Sequence, residues 1–509
     1  RSRWSGKNYR NVLDAIKMTL VPLDIPAGVV RNGTDLQSAG RWRDASLVRW
    51  EGGSLRPIGG WRERVATAFD NAPRGMHVWE SNDGSRHISA GTYNKLFAVN
   101  AARTATDISP SDLTAGRLDA AVLTGYGNGL YGTSFYGTER PDTGNYSEAT
   151  TWSIDNWGEY LVACSTADGR LLQWQLNPAV DAAAITNAPI NNLGLIVTEE
   201  RFIFALGAGG NPRKVQWCDQ EAETQWSPAS TNQAGSQILQ TNGQIMTAQR
   251  GDGQTLILTD IDMHRATYVG PPFIWSFERA GSSCGIISRK AAATVDAGTF
   301  WMGQKGFFYY DGSRVQDLPC AVDDYVFSDI NPNQVSKTWS TVVGQHSEIW
   351  WFYCSADATE IDRYVSYNYS EGHWSIGQLS RTTGVDRGVF KYPLWCNTDS
   401  DIIEHEVGLN YDGSTVFAES GPAAIGTGEN LVNVLRLIPD EKTQGDVTAT
   451  FKTRLYPNAA ETSHGPYSMA NPTSVRFSGR QVRMRVEGAR QADWRVGIMR
   501  ADVKQAGRR

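Results

Sequence analysis

The residues that could support catalysis are few. Gly281-Ser-Ser-Cys-Gly285 matches the G-x-S-x-G pattern, in which a serine nucleophile lies on a sharp turn between a strand and a helix. Here Ile286 and Ile287 follow, and the stretch beyond them is rich in β-forming residues. We therefore interpret Ser283 as part of a glycine-lined turn and expect no hydrolase activity.

Metal-ligating residues also lack partners at useful spacing. His405-Glu406 has no second histidine four positions after the first, which a zinc protease helix requires. Asp260 and Asp262 could offer carboxylates to Ca²⁺, but no EF-hand or repeat-loop spacing surrounds them. We predict no catalytic residue, no metal and no cofactor.

The cysteines indicate neither a metal site nor a disulfide scaffold. The chain has 6 of them in 509 residues, and no two form a CxxC pair. They are predicted to be small apolar core residues of a protein in a reducing compartment. Their positions are Cys164, Cys218, Cys284, Cys320, Cys354 and Cys396.

The composition favours short strands joined by tight turns. The chain has 51 Gly, 18 Trp and 19 Tyr, while charged residues are only 20%. No segment approaches the roughly 20 apolar residues of a membrane span, so none is expected. Residues 1–17 are polar and basic, without the apolar segment of a signal peptide, and read as an upstream extension or a basic arm.

A repeating unit begins near residue 65. It consists of an apolar strand, a turn with Gly, Asp or Asn, and a second strand that ends in an aromatic residue. Trp174, Trp217 and Trp275 close three such units at intervals of 43 and 58 residues. Propeller blades of four strands repeat at about 40–50 residues. We predict an all-β fold with a β-propeller of six or seven blades over residues 65–425; a β-sandwich or a β-solenoid with the same hairpins is the alternative.

The pattern changes after residue 425. Val447–Phe451, Val482–Val486 and Trp494–Met499 alternate apolar and polar residues, as a half-buried antiparallel sheet does. We predict a smaller antiparallel β-domain built from terminal segments, with residues 1–64 as a basic arm and β-segment and residues 426–509 as its C-terminal part. Its exposed face is expected to carry Arg480, Arg483, Arg485, Arg495 and Arg500.

The charges divide along the chain. Residues 1–64 carry a net charge of +6, residues 430–509 carry +7, and residues 65–429 carry −19. An acidic body with basic ends argues against a protein that grips nucleic acid with its whole surface. Arg outnumbers Lys 37 to 11, which suits interface ion pairs and equally a GC-rich genome.

Both ends of the chain contain short motifs rich in Gly, Arg and Trp. Near the start these are Ile25-Pro-Ala-Gly-Val-Val30, Arg31-Asn-Gly-Thr34, Gly40-Arg-Trp-Arg-Asp-Ala45, Leu47-Val-Arg-Trp50 and Leu55-Arg-Pro-Ile-Gly-Gly-Trp61. Near the end they are Gly479-Arg480, Val482-Arg-Met-Arg485, Trp494-Arg-Val-Gly497, Asp502 and Gly507-Arg-Arg509. With these motifs, both ends resemble the tail nozzle (tail hub, or packaged-DNA stabilisation) proteins of short-tailed bacteriophages.

The resemblance implies a structural virion protein of the phage tail, assembled in the bacterial cytoplasm, and not an enzyme. Such proteins form a ring of six subunits, here a homohexamer, below the portal and the tail adaptor ring. They contact tail fibres, spikes or a needle, retain packaged DNA, and conduct double-stranded DNA during ejection without sequence-specific binding.

Interface residues are predicted where Trp and Arg occur together near the two ends, because these types dominate interface hot spots. The alternative is that the tryptophans form the core of the small domain and that arginine stems cover them. The candidates are Arg41, Trp42, Arg49, Trp50, Trp61, Arg480, Arg483, Arg485, Trp494, Arg508 and Arg509.

Two rival functions remain open from the sequence. One is a carbohydrate-binding or glycan-processing propeller for host recognition, which would place aromatic residues and carboxylates together at one propeller mouth. The other is a general interaction scaffold, which would be a stable monomer in solution.

Overall fold

A computed structural model describes residues 19–66, 68–126, 135, 137–424 and 431–505. The chain forms two compact units. The terminal unit comprises residues 1–60, 373–377 and 408–509, and the propeller unit comprises residues 61–372 and 378–407. The propeller sequence is thus inserted within that of the terminal unit.

Four strands precede the propeller, and one strand begins it. They are β1 (Thr19–Leu23), β2 (Trp42–Ser46), β3 (Val48–Glu51), β4 (Ser54–Pro57) and β5 (Trp61–Val65). A 3-10 turn, Asp35–Ser38, lies between β1 and β2.

The next strands form the first four blades, each an antiparallel sheet of four strands in chain order. Blade one has β6 (Met76–Glu80), β7 (Arg86–Gly91), β8 (Leu96–Val99) and β9 (Ala105–Asp107), and is followed by the hairpin β10 (Ala121–Gly125) and β11 (Arg140–Ser147). Blade two has β12 (Trp152–Trp157), β13 (Tyr160–Ser165), β14 (Leu172–Trp174) and β15 (Ala183–Ala184). Blade three has β16 (Gly194–Val197), β17 (Ile203–Leu206), β18 (Lys214–Trp217) and β19 (Gly235–Ile238). Blade four has β20 (Ile245–Gly251), β21 (Gln254–Thr259), β22 (Asp262–Gly270) and β23 (Ile274–Ser282).

Three further blades follow. Blade five has β24 (Ala292–Val295), β25 (Gly298–Met302), β26 (Phe307–Tyr310) and β27 (Val315–Leu318). The helix α1 (Asp323–Asp329) leads to blade six, with β28 (Trp339–Val343), β29 (Glu348–Tyr353), β30 (Arg363–Asn368) and β31 (His373–Gln378). Strand β31 completes the sheet of blade six, although its residues 373–377 are counted with the terminal unit. Blade seven has β32 (Thr383–Val385), β33 (Leu394–Cys396) and β34 (Ile402–His405), and its outer strand is β5. Short 3-10 turns lie at Ala208–Gly210, Val335–Lys337 and Gly344–His346.

These sheets close into a ring of seven blades within the described part of the chain. The first strand of every blade contacts the first strands of its two neighbours, and β32 of blade seven returns to β6 of blade one. The first strands therefore surround the central channel. This confirms the all-β propeller fold that the aromatic-closed hairpins predict.

Apolar side chains between neighbouring blades hold the ring together. Between blades two and three, for example, Val162 and Cys164 pack with Ile203 and Trp226. Tight spacing requires glycine at Gly91, where a Cβ atom would lie 2.3 Å from the Trp152 ring. Five of the six cysteines are buried, Cys320 is half-buried, and all six are free thiols. The five buried ones fit the predicted role of small core residues.

The remaining strands complete the terminal unit. They are β35 (Phe417–Ser420), β36 (Ala423–Ala424), β37 (Val432–Ile438), β38 (Val447–Arg454), β39 (Thr462–Ser468), β40 (Thr473–Gly479), β41 (Gln481–Gly488) and β42 (Met499–Gln505). One sheet has the order β2-β35-β41-β38-β39, with β36 also paired to β41, and the other has the order β1-β42-β37-β40. Each sheet includes one strand from the N-terminal segment, which confirms a β-domain built from both ends.

Candidate functional site

The four candidate tryptophans are enclosed within their own units. Trp42, Trp50 and Trp494 lie in the terminal unit and Trp61 lies in the propeller unit, and each is at most 4% exposed. Trp42 and Trp50 contact each other, with ring centroids 6.2 Å apart. This placement corresponds to the alternative reading, in which the tryptophans are core residues, and none of the four is accessible to a neighbouring subunit.

Two N-terminal arginine candidates are largely covered as well. Arg49 is buried, and Arg41 is half-buried with its Nη2 donating to the carbonyl of Ala27 at 3.4 Å. The candidates Arg508 and Arg509 lie outside the described residues.

The arginines of β41 are held by carboxylates of the same unit. Arg483 forms an ion pair with Asp35, and its Nε lies 2.9 Å from Glu461 Oε1. Burial alone would raise the pKa of Asp35, but the charges of Arg483 and Arg43 hold this pKa below its ordinary value. The expectation that Arg483 lies on an open face is therefore wrong: only 15% of its side chain is exposed.

Arg485 and Arg480 are half-buried too. The Arg485 guanidinium lies 3.5 Å from the centroid of the Phe417 ring, and its Nε is 3.0 Å from Glu487 Oε2. Cation–π contact and ion pairing together fix this side chain against its own sheet. Arg480, at the start of the β40–β41 turn, is half-buried.

Exposed arginines lie instead on the outer face of the second sheet. On β42 the inward residues Met499 and Ala501 are buried, while Arg500 between them is exposed. Arg476 on β40 is exposed as well. Arg436 on β37 is also exposed and lies 3.4 Å from Asp502. This arginine face, defined by Arg436, Arg476 and Arg500, could meet an acidic partner without disturbing the core.

The propeller channel holds a cluster of polar groups that no pattern in the sequence predicted. His77 of β6 contacts Asn156 of β12, with 3.0 Å between Nε2 and Oδ1. Asp155 of β12 accepts from the Val197 amide at 3.0 Å and pairs with Arg250 of β20. Burial lowers the pKa of His77, and the charge of Asp155 opposes that shift. A polar residue inside an apolar first strand, as in Met76-His-Val-Trp79, is the signal that could have revealed this cluster.

Lys290 interacts electrostatically with this channel cluster. It lies just before β24, and its carbonyl accepts hydrogen bonds from the amide (2.8 Å) and the hydroxyl (3.1 Å) of Ser340. Burial lowers the pKa of Lys290 to about 8, while Asp155 acts to raise it. Its charge in turn acts on His77, so these groups share one electrostatic environment.

The connection between blades one and two reaches across to the connection between blades five and six. The Gln334 side chain forms hydrogen bonds with both the amide (3.1 Å) and the carbonyl (3.3 Å) of Ala120. The buried ammonium of Lys337 binds Asp119, and the Ser336 hydroxyl accepts from the Ala149 amide at 3.1 Å. These contacts join two blade connections that are far apart in sequence.

Ser283 lies at the edge of a crevice of about 650 Å³. It follows β23 in a left-handed conformation (φ 58°) and leads to β24, so the strand–turn–helix of a nucleophile elbow is not formed here. Among the described residues, no histidine forms a hydrogen bond with its hydroxyl. Carboxylates of Asp260, Asp317 and Asp323 and the ring of Phe308 line the same crevice.

No group of three or more His, Cys, Asp or Glu side chains in the described ranges is arranged to hold a metal ion. Within those ranges, too, no helix is both long and apolar enough to cross a membrane.

Comparison with known proteins gives structural likenesses only. No protein-family model matches the chain, and no curated protein matches it. A streptogramin B lyase structure aligns with a TM-score of 0.41 and 9% identity, covering 68% of this chain and 97% of that one. The virginiamycin B lyase from Staphylococcus aureus aligns with a TM-score of 0.41 and 10% identity, covering 68% and 98%. The Neurospora crassa Pan2 WD40 domain aligns with a TM-score of 0.36 and 7% identity, covering 68% and 95%.

Proposed function

We propose that this protein is a structural component of the tail of a short-tailed phage. In this proposal it forms the nozzle ring below the portal and the adaptor, retains packaged DNA, and conducts the DNA during ejection. It acts without catalysis or cofactor. The resemblance of the two ends of the chain to tail nozzle proteins suggests this role, and those two ends fold together into one unit.

The observation that carries the proposal is the distribution of charge between the two units. The terminal unit has 24 Lys and Arg against 15 Asp and Glu, a net charge of +9. The propeller unit has 24 against 39, a net charge of −15. A basic unit and an acidic unit in each copy are complementary when copies associate head to tail, which is the type of contact that closes into rings.

An acidic propeller also suits the handling of DNA. Basic walls would bind phosphates strongly through counterion release, whereas acidic walls repel them and let the duplex slide. In the proposed ring the arginine face is therefore assigned to protein contacts, and DNA passes without being held.

Sedimentation velocity and native mass spectrometry of the purified protein test this proposal, with and without the portal–adaptor ring. We expect six-copy rings that weaken between about 50 mM and about 500 mM salt, because exposed charges are screened over a shorter distance. The double variant Arg476→Glu/Arg500→Glu should remain monomeric with an unchanged melting temperature. The control Arg279→Glu, an exposed arginine of the propeller unit, should assemble. A monomer under every condition, or full rings of the double variant, would contradict the proposal.

A carbohydrate-binding role is the second candidate, and the crevice beside Ser283 is the observation that favours it. Carboxylates and an aromatic ring occur together there, in a volume that a sugar residue could occupy. A glycan array with the purified protein, compared with Asp317→Asn, tests this candidate. Binding that the variant loses would favour it over the nozzle role.

A further inference from the structure

The two sheets of the terminal unit enclose a mostly apolar cavity of about 220 Å³. Its walls are buried side chains from both sheets, among them Phe451, Phe477, Met484 and Ala501. An apolar cavity of comparable size in a protein core stays dry and takes up a benzene-sized molecule. The cavity therefore has the size and the chemistry to hold one aromatic ring.

The cavity opens to the surface beside β1 and β36. Val21 of β1 is half-buried where it lines the cavity, and Gly40 and Ala424 at the rim are exposed. A Cβ atom at Gly40 would meet no atom within 4 Å, so the rim leaves space there. The cross-strand neighbour of Pro22, which also lines the cavity, is Arg500. A partner that covers this opening would therefore lie near the arginine face.

The tip of the β22–β23 hairpin carries an apolar projection of matching size. Phe273 is 80% exposed and Val269 is 52% exposed, and two prolines between them extend the apolar tip. Behind the tip, Tyr268 packs against Trp275 with ring centroids 5.5 Å apart. Contiguous exposed apolar patches mark interaction sites, and aromatic residues dominate interface hot spots. The Phe273 ring is thus presented to solvent on a supported turn.

The charges near the two features are opposite in sign. In an antiparallel blade of four strands the first and third turns lie at the same end, so the β22–β23 tip shares its end with the β20–β21 turn. That turn exposes Asp252, which lines one crevice together with the exposed Glu199 and Asp296 of the two neighbouring blades. The cavity, in contrast, belongs to the basic unit. Opposite charges favour a contact between a propeller unit and a terminal unit over contacts between like units.

We propose that the Phe273 ring of one copy enters the apolar cavity of the next copy, and that this contact repeats around the ring of subunits. A projection on one surface and a pocket on another make a head-to-tail contact, which closes into a ring when the rotation permits. The inference rests on the proposed nozzle ring and names the contact that joins its subunits. Phe273 supplies the apolar part of that interface and the arginine face supplies the charged part.

Sedimentation velocity of full-length variants tests both sides of the contact. Phe273→Ala, at an exposed side chain, should keep the parent's melting temperature and raise the concentration needed for half assembly at least tenfold. Ala501→Leu, which fills the cavity from its floor, should also raise that concentration at least tenfold. Phe135→Ala removes another exposed phenylalanine of the propeller unit, 84% exposed, and should assemble as the parent does.

The outcomes separate this contact from the ring itself. Equal assembly of the parent and Phe273→Ala into rings would overturn the contact and leave the proposed ring standing. A parent that stays monomeric under every condition would contradict both.

A second measurement leaves the cavity walls unaltered and is unaffected if Ala501→Leu fails to fold. The photo-reactive residue benzoylphenylalanine replaces Phe273, and irradiation of mixed isotope-labelled and unlabelled copies is followed by peptide mass mapping. We expect cross-links between copies, from residue 273 to peptides of β1, β36 or β42. The same probe in place of Tyr126, a 72% exposed aromatic residue, should not label these peptides. Cross-links of residue 273 to other segments only, or none between copies, would exclude the cavity as its site.

Discussion

Near the chain ends, the candidate tryptophans are core residues, whereas most of the arginines lie partly or fully at the surface. The pairing of these types at Trp42, Trp50 and Trp494 suggests an interface from sequence alone, but the structure encloses the rings in the terminal unit. A large aromatic ring buries more apolar area than any other side chain, so burying it in the core of a small domain contributes most to stability. Arginines whose neighbours are carboxylates, such as Arg483 beside Asp35, stay with their own chain, and the exposed ones remain for partners.

At the residue scale, Lys290→Met should raise the melting temperature at pH 7. The folded pKa of Lys290 is about 8, below its ordinary 10.5. The cost of holding the charged form in the fold is therefore fully present below pH 8 and disappears as the pH rises towards 10.5. Thermal unfolding at a series of pH values should show the gain of the variant shrinking over that window. A variant that is equally destabilised at pH 7 and pH 10.5 would contradict this reading, and Lys391→Met is the control.

Among the elements, β5 has the most distant partner in the propeller. It pairs with β34 in the register His405↔Trp61 and Glu404↔Arg62. Glu404 is flanked by Arg62 and Arg64, with 2.7 Å between oxygen and nitrogen in each ion pair. Arg381 lies 4.9 Å from the Trp61 ring and donates to His405 Nε2 at 2.8 Å. These contacts fasten the last blade to the first propeller strand.

Glu404→Ala should destabilise the protein by about 2–3 kcal/mol, because two arginines lose a largely buried carboxylate. Glu63→Ala, on the same strand but exposed, should change stability by no more than about 0.5 kcal/mol. Denaturant unfolding measures both values. Similar effects of the two substitutions would mean that this ion-pair group does not hold the blade closed.

The elements differ in how far the sequence predicts them. Hairpins such as β13–β14 are predicted by their apolar strands, the Asp168-Gly169 turn and the closing Trp174, because all these signals are local. The position of β5 in blade seven is not predicted by the sequence. Its partner residues Arg62 and Glu404 are 342 residues apart, and no local pattern encodes their pairing. The channel cluster is not predicted for the same reason: its members lie on blades one, two and four, and only ring closure brings them together.

At the scale of the whole molecule, the propeller can be separated from the chain ends at defined points. A fragment of residues 61–407 includes β5 and should unfold cooperatively as a closed ring. A fragment of residues 66–407 lacks β5, leaves the edge of β34 unpaired, and should melt at a temperature at least about 5 °C lower or aggregate, as exposed strand edges do. Circular dichroism on heating and limited proteolysis compare the two. Equal melting temperatures would show that β5 is dispensable for the closed ring.

The insertion of the propeller within the terminal unit has a consequence for synthesis. Strand β2 pairs with β35, and β1 pairs with β42. Neither β1 nor β2 can form its pair until the ribosome has synthesised the whole propeller. At about 5–20 residues per second, that delay is roughly 20 to 75 s. During this time the core that will bury the rings of Trp42 and Trp50 is incomplete, so both rings stay exposed. We expect the nascent N-terminal segment to be a chaperone client, released only when the last strands emerge.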